Sequence, residues 1–387
     1  MAMPPVQSGS PGLLRSLNDR AALSLLISQG PMTRVQLSEA TGLSGPTASQ
    51  VVNRLSAAGL VCQAGHTTGS RGPNAVVYRA CAEAARGVAV HIRAGRITAR
   101  VVDAAGQPYP TAEVRLAAKG HSARRDLTDA ITAACAAAGQ NPDDMVAVCV
   151  GVPASVSTVS DDLHFVEALP GWPRHAVRAQ IEEQLGRSVI IENDANLAAV
   201  AEADERADDS DFALLWQGEG VSVAAVTDGR VRRGVAGGAG EIGYLPVPRD
   251  ADGFDQTATD LQGLAGGGAL TRLARAHRSS IRTYDAALQA LREGELRSAL
   301  LADLAPRTAQ AIIPVIAVLD PAGIVLGGPT GATAGAEGAG LVQAYLRRNT
   351  RWRTPVSATK MPLNPVLRGA ALTLSGYLAE SLLDRVV

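Results

Sequence analysis

Apolar residues recur at helical spacing through Leu17, Ala21, Leu25 and Ile27, and the run stops at Gly30-Pro31. This predicts a helix over residues 17–29. Thr33 with Gln36 three residues later reads as a capping box for a second, short helix carrying Val35, Leu37 and Ala40. Gly42 ends that helix, and Leu43 plugs the core. Ser44 caps a third helix whose apolar stripe is Ala48, Val51, Val52 and Leu55. Beyond Gly59 the pattern changes to strands: Leu60-Val61 opens one, Gly65 to Gly72 forms a tip, and Ala75 to Arg79 returns. Two short helices, a glycine turn, a third helix and a hairpin make a winged helix-turn-helix.

From Gly87 the pattern is α/β. Val88–Ile92, Ile97–Val102 and Ala112–Leu116, separated by turn signals, predict an antiparallel meander. An alanine-rich helix follows over about 124–138, then a buried strand, Met145 to Val150, and a helix over 174–185. Val189-Ile190-Ile191 next runs into Glu192-Asn193-Asp194-Ala195-Asn196. A carboxylate at the mouth of a strand can take a proton or a hydrogen bond from a bound hydroxyl. It can equally well be a helix cap, through Asp194 or Asn193. The acidic run Glu202 to Asp211 reads as a solvated helix end or loop. Residues 270–319 read as buried helices, and Gly331 to Gly340 as a loop entering a helix.

Charge sharpens the reading of the first segment. Through Arg86 it holds seven arginines against Asp19, Glu39 and Glu83, a net +4 in a chain of net charge -1. A positive module on a neutral body is the footprint of a double-stranded DNA reader. The candidate DNA contacts are Arg34, Ser44, Thr47, Ser49, Gln50, Asn53 and Arg54, with Arg71 at the wing tip. A helical protein-interaction module is the alternative. Aromatic residues make up only 3%, too few for a single-strand stacking platform. The cysteines, Cys62, Cys81, Cys135 and Cys149, have no metal-ligand spacing and are expected to be buried free thiols. No signal peptide or membrane-length apolar run is read, so a cytoplasmic protein is expected.

Five motifs then occur in a telling order: Gly151-Val152-Pro153, Leu169-Pro170-Gly171-Trp172, Glu192 to Asn196, Gly237-Gly-Ala-Gly-Glu-Ile-Gly243, and Leu319-Asp320-Pro321 leading to Ile324-Val-Leu-Gly-Gly328. In order and spacing the chain resembles the ROK family of sugar kinases and sugar-responsive repressors. With a winged helix ahead of it, the resemblance is to the repressor branch. It implies an actin-like ATPase (sugar kinase-like) fold of two α/β lobes around a cleft. The expected domains are a flexible tail (1–16), the winged helix (17–82), a first lobe (87–192 plus 367–387) and a second lobe (193–366). In the kinases of the family the aspartate matching Asp194 is the general base, and residues matching Asn193 and Glu241 bind the sugar.

Departures from the family pattern narrow the function. Ala89 stands where an Mg²⁺-supporting Asp is expected, and His91 at the first phosphate-loop glycine. Glu219, Ser222 and Ala224 interrupt the second phosphate loop. No ATP, Mg²⁺ or kinase activity is therefore expected. Tyr244 replaces a zinc-binding His, and residues 245–268 contain no Cys or His, so no structural zinc is expected. Ala168 replaces a sugar-contacting Asn. Asn193, Asp194, Glu241 and Tyr244 are the candidate ligand residues, with His164 and Glu167 as further possible lining. The expectation is a homodimeric repressor with a carbohydrate effector. A ligand-dead regulator and a sugar kinase are the rivals.

Overall fold

The computed structural model describes residues 11–67, 75–93, 95–116, 121–164, 169, 171–206, 211–248, 254, 257–361 and 363–386. The N-terminal module contains α1 (Pro11–Ser28), β1 (Met32–Thr33), α2 (Arg34–Thr41), α3 (Gly45–Ala57), β2 (Val61–His66) and β3 (Val76–Ala80). Helix α1 begins at Pro11, so residues 11–16 are helical and not part of a flexible tail. The caps lie where the residue types place them. Thr33 and Gln36 form the reciprocal capping box, Gly42 ends α2 at φ 70°, and the Ser44 side chain accepts from Thr47 N. Ala48, Val51, Val52 and Leu55 are all buried. The wing sheet has the order β1-β3-β2, with β1 an edge strand too short for its period to be legible.

The first lobe comprises β4 (Arg86–Arg93), β5 (Arg96–Asp103), β6 (Thr111–Arg115), α4 (Ala123–Ala138), β7 (Met145–Val152), β8 (Ser155–Val156), β9 (Leu163–His164), α5 (Val177–Leu185) and β10 (Ser188–Asn193), and α6 (Asp194–Asp204) follows it, packed on elements of both lobes. The second contains β11 (Phe212–Gln217), β12 (Val221–Thr227), β13 (Arg230–Val231), α7 (Leu261–Ala265), α8 (Gly267–His277), α9 (Tyr284–Arg292), α10 (Arg297–Leu319), β14 (Gly323–Gly327), α11 (Gly328–Asn349) and β15 (Val356–Ala358). The last helix, α12 (Pro365–Leu383), returns to the first lobe. The two main sheets repeat one plan. β6-β5-β4-β7-β10 and β13-β12-β11-β14-β15 each place an antiparallel meander beside two parallel strands.

Three expectations need correction. Residues 331–340 lie inside α11, because alanines between the glycines keep helix propensity and the missing side chains allow close packing. A Cβ on Gly331 would stand 2.9 Å from the Leu326 carbonyl carbon, and Gly335 (φ 61°) kinks the helix. Glu202 is not solvated: it is 1% exposed and receives bonds from Thr359 Oγ1 (2.6 Å) and Lys360 N. Of the cysteines, Cys135 and Cys149 are buried as expected, but Cys62 and Cys81 are half-exposed. Helix α10 is long and apolar enough to cross a membrane by composition, yet 61% of that stretch is buried within the protein, as for a core helix.

Helix α12 positions the site. Near its start Val366 faces Gly151, where an added Cβ would come within 2.5 Å of Val366 Cγ1 and 3.4 Å of Asp194 Oδ1. Further along, Gly369 lies against the Leu197 carbonyl of α6, and Leu374 against Gly87 of β4. At its far end Glu380 and Asp384 pair with Arg20 of α1 (3.2 and 2.9 Å). One continuous apolar core joins Leu23, Leu37 and Leu55 of the winged helix to α12, Ala195 and Leu197. The winged-helix module is thus packed on the first lobe.

Candidate DNA-binding face and ligand cleft

Gln50 and Asn53 are exposed on α3, and Thr47 and Ser49 half-exposed beside them. Ser44 and Thr47 hydroxyls bond each other (2.8 Å), so their first task is the cap. Arg34 stacks over Tyr78 (5.1 Å to the ring centroid) and donates to Asn53 Oδ1 (2.9 Å). That contact pre-orients both side chains on the same surface. Arg54 does not belong with them. Its Nε and a terminal nitrogen donate to the two oxygens of Asp19 (2.8 and 2.6 Å), a fork that ties α3 to α1. Asp19 is 4% exposed, and its carboxylate raises the pKa of Arg54 further. Sequence reasoning missed this pair because Asp19 carries no motif. Arg71 lies outside the described residues.

In the cleft, Asn193 is the N-cap of α6. Its Oδ1 accepts from Ala195 N (2.8 Å), and its Nδ2 donates to Ala154 O (3.0 Å). The cap reading therefore holds for Asn193, and both ends of its amide are engaged by the protein. Glu192 is also structural, accepting from Asn193 N and Asn196 Nδ2 and pairing with Arg233. Asp194 differs. It starts α6, is buried, and its Oδ1 has no hydrogen-bond partner among the described residues. Its Oδ2 lies 3.6 Å from His91 Nε2, a contact longer than a hydrogen bond. The helix N-terminus favours its negative charge.

The second lobe reaches this point through the glycine loop. Ser155 Oγ donates to Gly237 O and Thr158 Oγ1 to Val235 O, both at 2.6 Å. Gly237 has φ 75°, and a Cβ there would sit 1.8 Å from the Val156 carbonyl oxygen, so only glycine permits this contact. Glu241 follows on the same loop. Burial raises its carboxyl pKa. Tyr244 is 50% exposed. His164 is exposed on β9, and Glu167 and Ala168 lie outside the described residues.

At the positions that the family resemblance assigns to phosphate, the residues are engaged within the protein. His91, on β4, is 5% exposed. Glu219 O accepts from Gly267 N (3.2 Å), packing the second loop onto α8. Gly328 (φ 72°), the first residue of α11, lies against the Gln217 backbone. Among the described residues, no three His, Cys, Asp or Glu side chains gather as a metal site.

Comparison with known proteins agrees with this architecture. Residues 88–372 match the profile of the ROK family, and residues 16–72 that of the MarR family. The uncharacterized protein y4fQ of Sinorhizobium fredii is 27% identical over 81% of this chain and 78% of its own length. The xylose repressor of Caldicellulosiruptor bescii is 23% identical, over 62% of this chain and 61% of the repressor. NagC of Escherichia coli, a DNA-binding transcriptional dual regulator, is 24% identical over 62% of this chain and 60% of NagC. The alignments thus span about three fifths of these two regulators. A solved ROK family transcriptional regulator, a homolog of E. coli MLC protein, superposes with TM-score 0.71 at 19% identity, covering 96% of this chain and 99% of that one. A glucokinase from Streptomyces griseus in complex with glucose and AMPPNP gives TM-score 0.60 at 23% identity, covering 74% and 98%. At these identities the structural likeness is one of fold.

Proposed function

Because the chain belongs to the ROK family and carries a MarR-type winged helix ahead of it, we propose that it is a sugar-responsive transcriptional repressor without kinase activity. The observation that carries this reading is α12. One end lies beside Asp194 and the other holds the winged helix through Arg20. A ligand on Asp194 and Glu241 that prefers one lobe arrangement shifts the population of states and, through α12, the pose of the DNA-binding module. Asp194 then accepts a hydrogen bond from a ligand hydroxyl and deprotonates nothing. The protein uses no ATP, Mg²⁺ or zinc, and acts in the cytoplasm. It binds double-stranded operator DNA as a homodimer, since a single winged helix contacts too little DNA for useful specificity. Relatives named as xylose and N-acetylglucosamine repressors support the carbohydrate class.

A ligand-dead cleft used only for dimerisation is the second reading, favoured by the local engagement of both ends of the Asn193 amide. Fluorescence anisotropy with DNA from upstream of the protein's own gene tests the proposal, at fixed salt and with scrambled DNA as control. The expected result is tight binding that discriminates against the scramble and weakens on addition of a carbohydrate. Equal, salt-sensitive binding to both DNAs would overturn it. Discrimination that no carbohydrate alters would select the second reading.

A further inference from the structure

Two adjacent arginines after β13 serve different lobes. Arg232 stays in its own hairpin: its N–H donates to Ala225 O of β12 (2.8 Å), and its exposed guanidinium pairs with Asp228 (2.9 Å). Arg233 reaches across to the first lobe, where its Nε donates to Glu192 Oε2 on β10. Glu192 is 8% exposed, and its other oxygen accepts from Asn193 N (3.0 Å) and from Asn196 Nδ2 (2.8 Å). Asn193 and Asn196 flank Asp194 at the start of α6. The carboxylate that receives Arg233 therefore also braces the backbone that presents Asp194.

The crossing continues along the same loop. Val235 O and Gly237 O are held by Thr158 Oγ1 and Ser155 Oγ of the first lobe (2.6 Å each). Ala239 N closes the loop on Arg233 O (3.3 Å), and Val223 N returns it to β12 through Gly240 O (2.8 Å). Glu241 comes next. Of these three ties across the lobes, two are bonds from neutral hydroxyls. Arg233–Glu192 joins opposite charges on a covered carboxylate, and hydrogen bonds between charged groups are the stronger kind.

We propose that Arg233 is a positioning residue: by clasping Glu192 it assembles the ligand site from its two halves, Asp194 of α6 and Glu241 of the loop, and touches no ligand itself. The ligand part rests on the effector reading above; the clasp stands on its own residues. Without Arg233 the loop is still fixed to β12 at Gly240, but its approach to the first lobe depends on the two hydroxyl bonds. The start of α6 then leans on a carboxylate that has lost its counter-charge. A ligand must order both halves as it binds, which lowers affinity. Operator binding without ligand is spared, because the winged helix is attached through α1 and α12.

The test is isothermal titration of the full-length protein with D-glucose, D-xylose and N-acetyl-D-glucosamine, together with amide hydrogen exchange of the same proteins without sugar. Arg233→Gln leaves a buried carboxylate unpaired, so Glu192→Gln/Arg233→Gln, which removes both charges, covers the case in which the single variant fails to fold. Wild type should bind one of the sugars. Arg233→Gln, Glu192→Gln and the double variant should each weaken that binding by about tenfold, the double no more than the singles, as for one coupled pair. Arg232→Gln should keep wild-type affinity, and all of these variants should keep ligand-free operator affinity. Exchange in Arg233→Gln should quicken on both sides of the clasp, at residues 233–241 and at Asn193 to Ala195. Sugar affinity unchanged in Arg233→Gln and in the double variant, or lowered as much by Arg232→Gln, would overturn the clasp and leave the effector reading intact. Silence of the wild type towards every sugar would overturn the effector reading, and exchange then decides the clasp. Quickening on both sides would support it, and quickening confined to the loop, or none, would overturn it.

Discussion

At the scale of single residues, Arg34 and Arg54 part company: Arg34 donates to Asn53 on the exposed face, and Arg54 does not. Arg54 sits on α3 beside Asn53, yet its guanidinium is taken by Asp19. Asp19→Ala should cost about 1–3 kcal/mol, the penalty for breaking a charged hydrogen-bonded pair, and Arg54→Ala somewhat less because its side chain is 39% exposed. Urea denaturation checks this, and neither substitution should relax operator preference. Gln50→Ala should do the reverse. Stability holds, while discrimination falls by about 1–3 kcal/mol, seen as a narrowed gap between operator and scramble. Glu241 gives a pH-dependent case. Its carboxyl is raised by burial, so the unfolded chain ionises it first. Its contribution to stability is therefore lost as pH rises from the unfolded value through the folded one. Glu241→Gln should remove that acid-range decline and slightly stabilise the ligand-free protein at neutral pH. A mutant with the wild-type profile across this range would contradict the assignment.

At the scale of elements, caps and glycines fix the joints. Gly237→Ala would place a methyl within the Val156 carbonyl at a left-handed φ, so the loop must leave β8 and carry Glu241 with it. The expected result is loss of ligand response with the operator affinity of the ligand-free protein retained. An unchanged response would contradict the loop's role. Much of this level was legible in the sequence because its causes are local. The capping box at Thr33, the Ser44 cap, the buried stripe of α3 and the meander β4–β6 all follow from neighbouring residues. Where local signals misled, tertiary packing had decided. Gly331 to Gly340 became helix because α11 needed small residues against the Leu326 backbone. Glu202 was buried by partners more than 150 positions away at Thr359 and Lys360. The site was legible only in part. Asp194 could be singled out, but Asn193 as a locally bonded cap, the Arg54–Asp19 fork and the packing of His91 onto Asp194 join segments that no periodicity connects.

At the scale of the whole molecule, the winged helix and the cleft share one core and one helix. α12 spans about 28 Å at helical rise, from the Gly151–Asp194 contact to the pairs with Arg20. Surface pairs of this kind contribute little stability, so the apolar core shared by α1 and α12 carries most of the attachment. A change at one end of a rigid, packed element is then felt at the other, and the coupling must be reciprocal: a ligand that weakens DNA binding is itself bound less well on DNA. The most direct measurement is the operator dissociation constant with and without a saturating carbohydrate ligand, for wild type and for Asp194→Ala. The account predicts a shift of about fivefold or more in wild type, within the usual range of coupling energies. It predicts no shift in Asp194→Ala, whose ligand-free operator affinity stays intact. A wild-type constant that no ligand moves, or a shift that survives in Asp194→Ala, would contradict it.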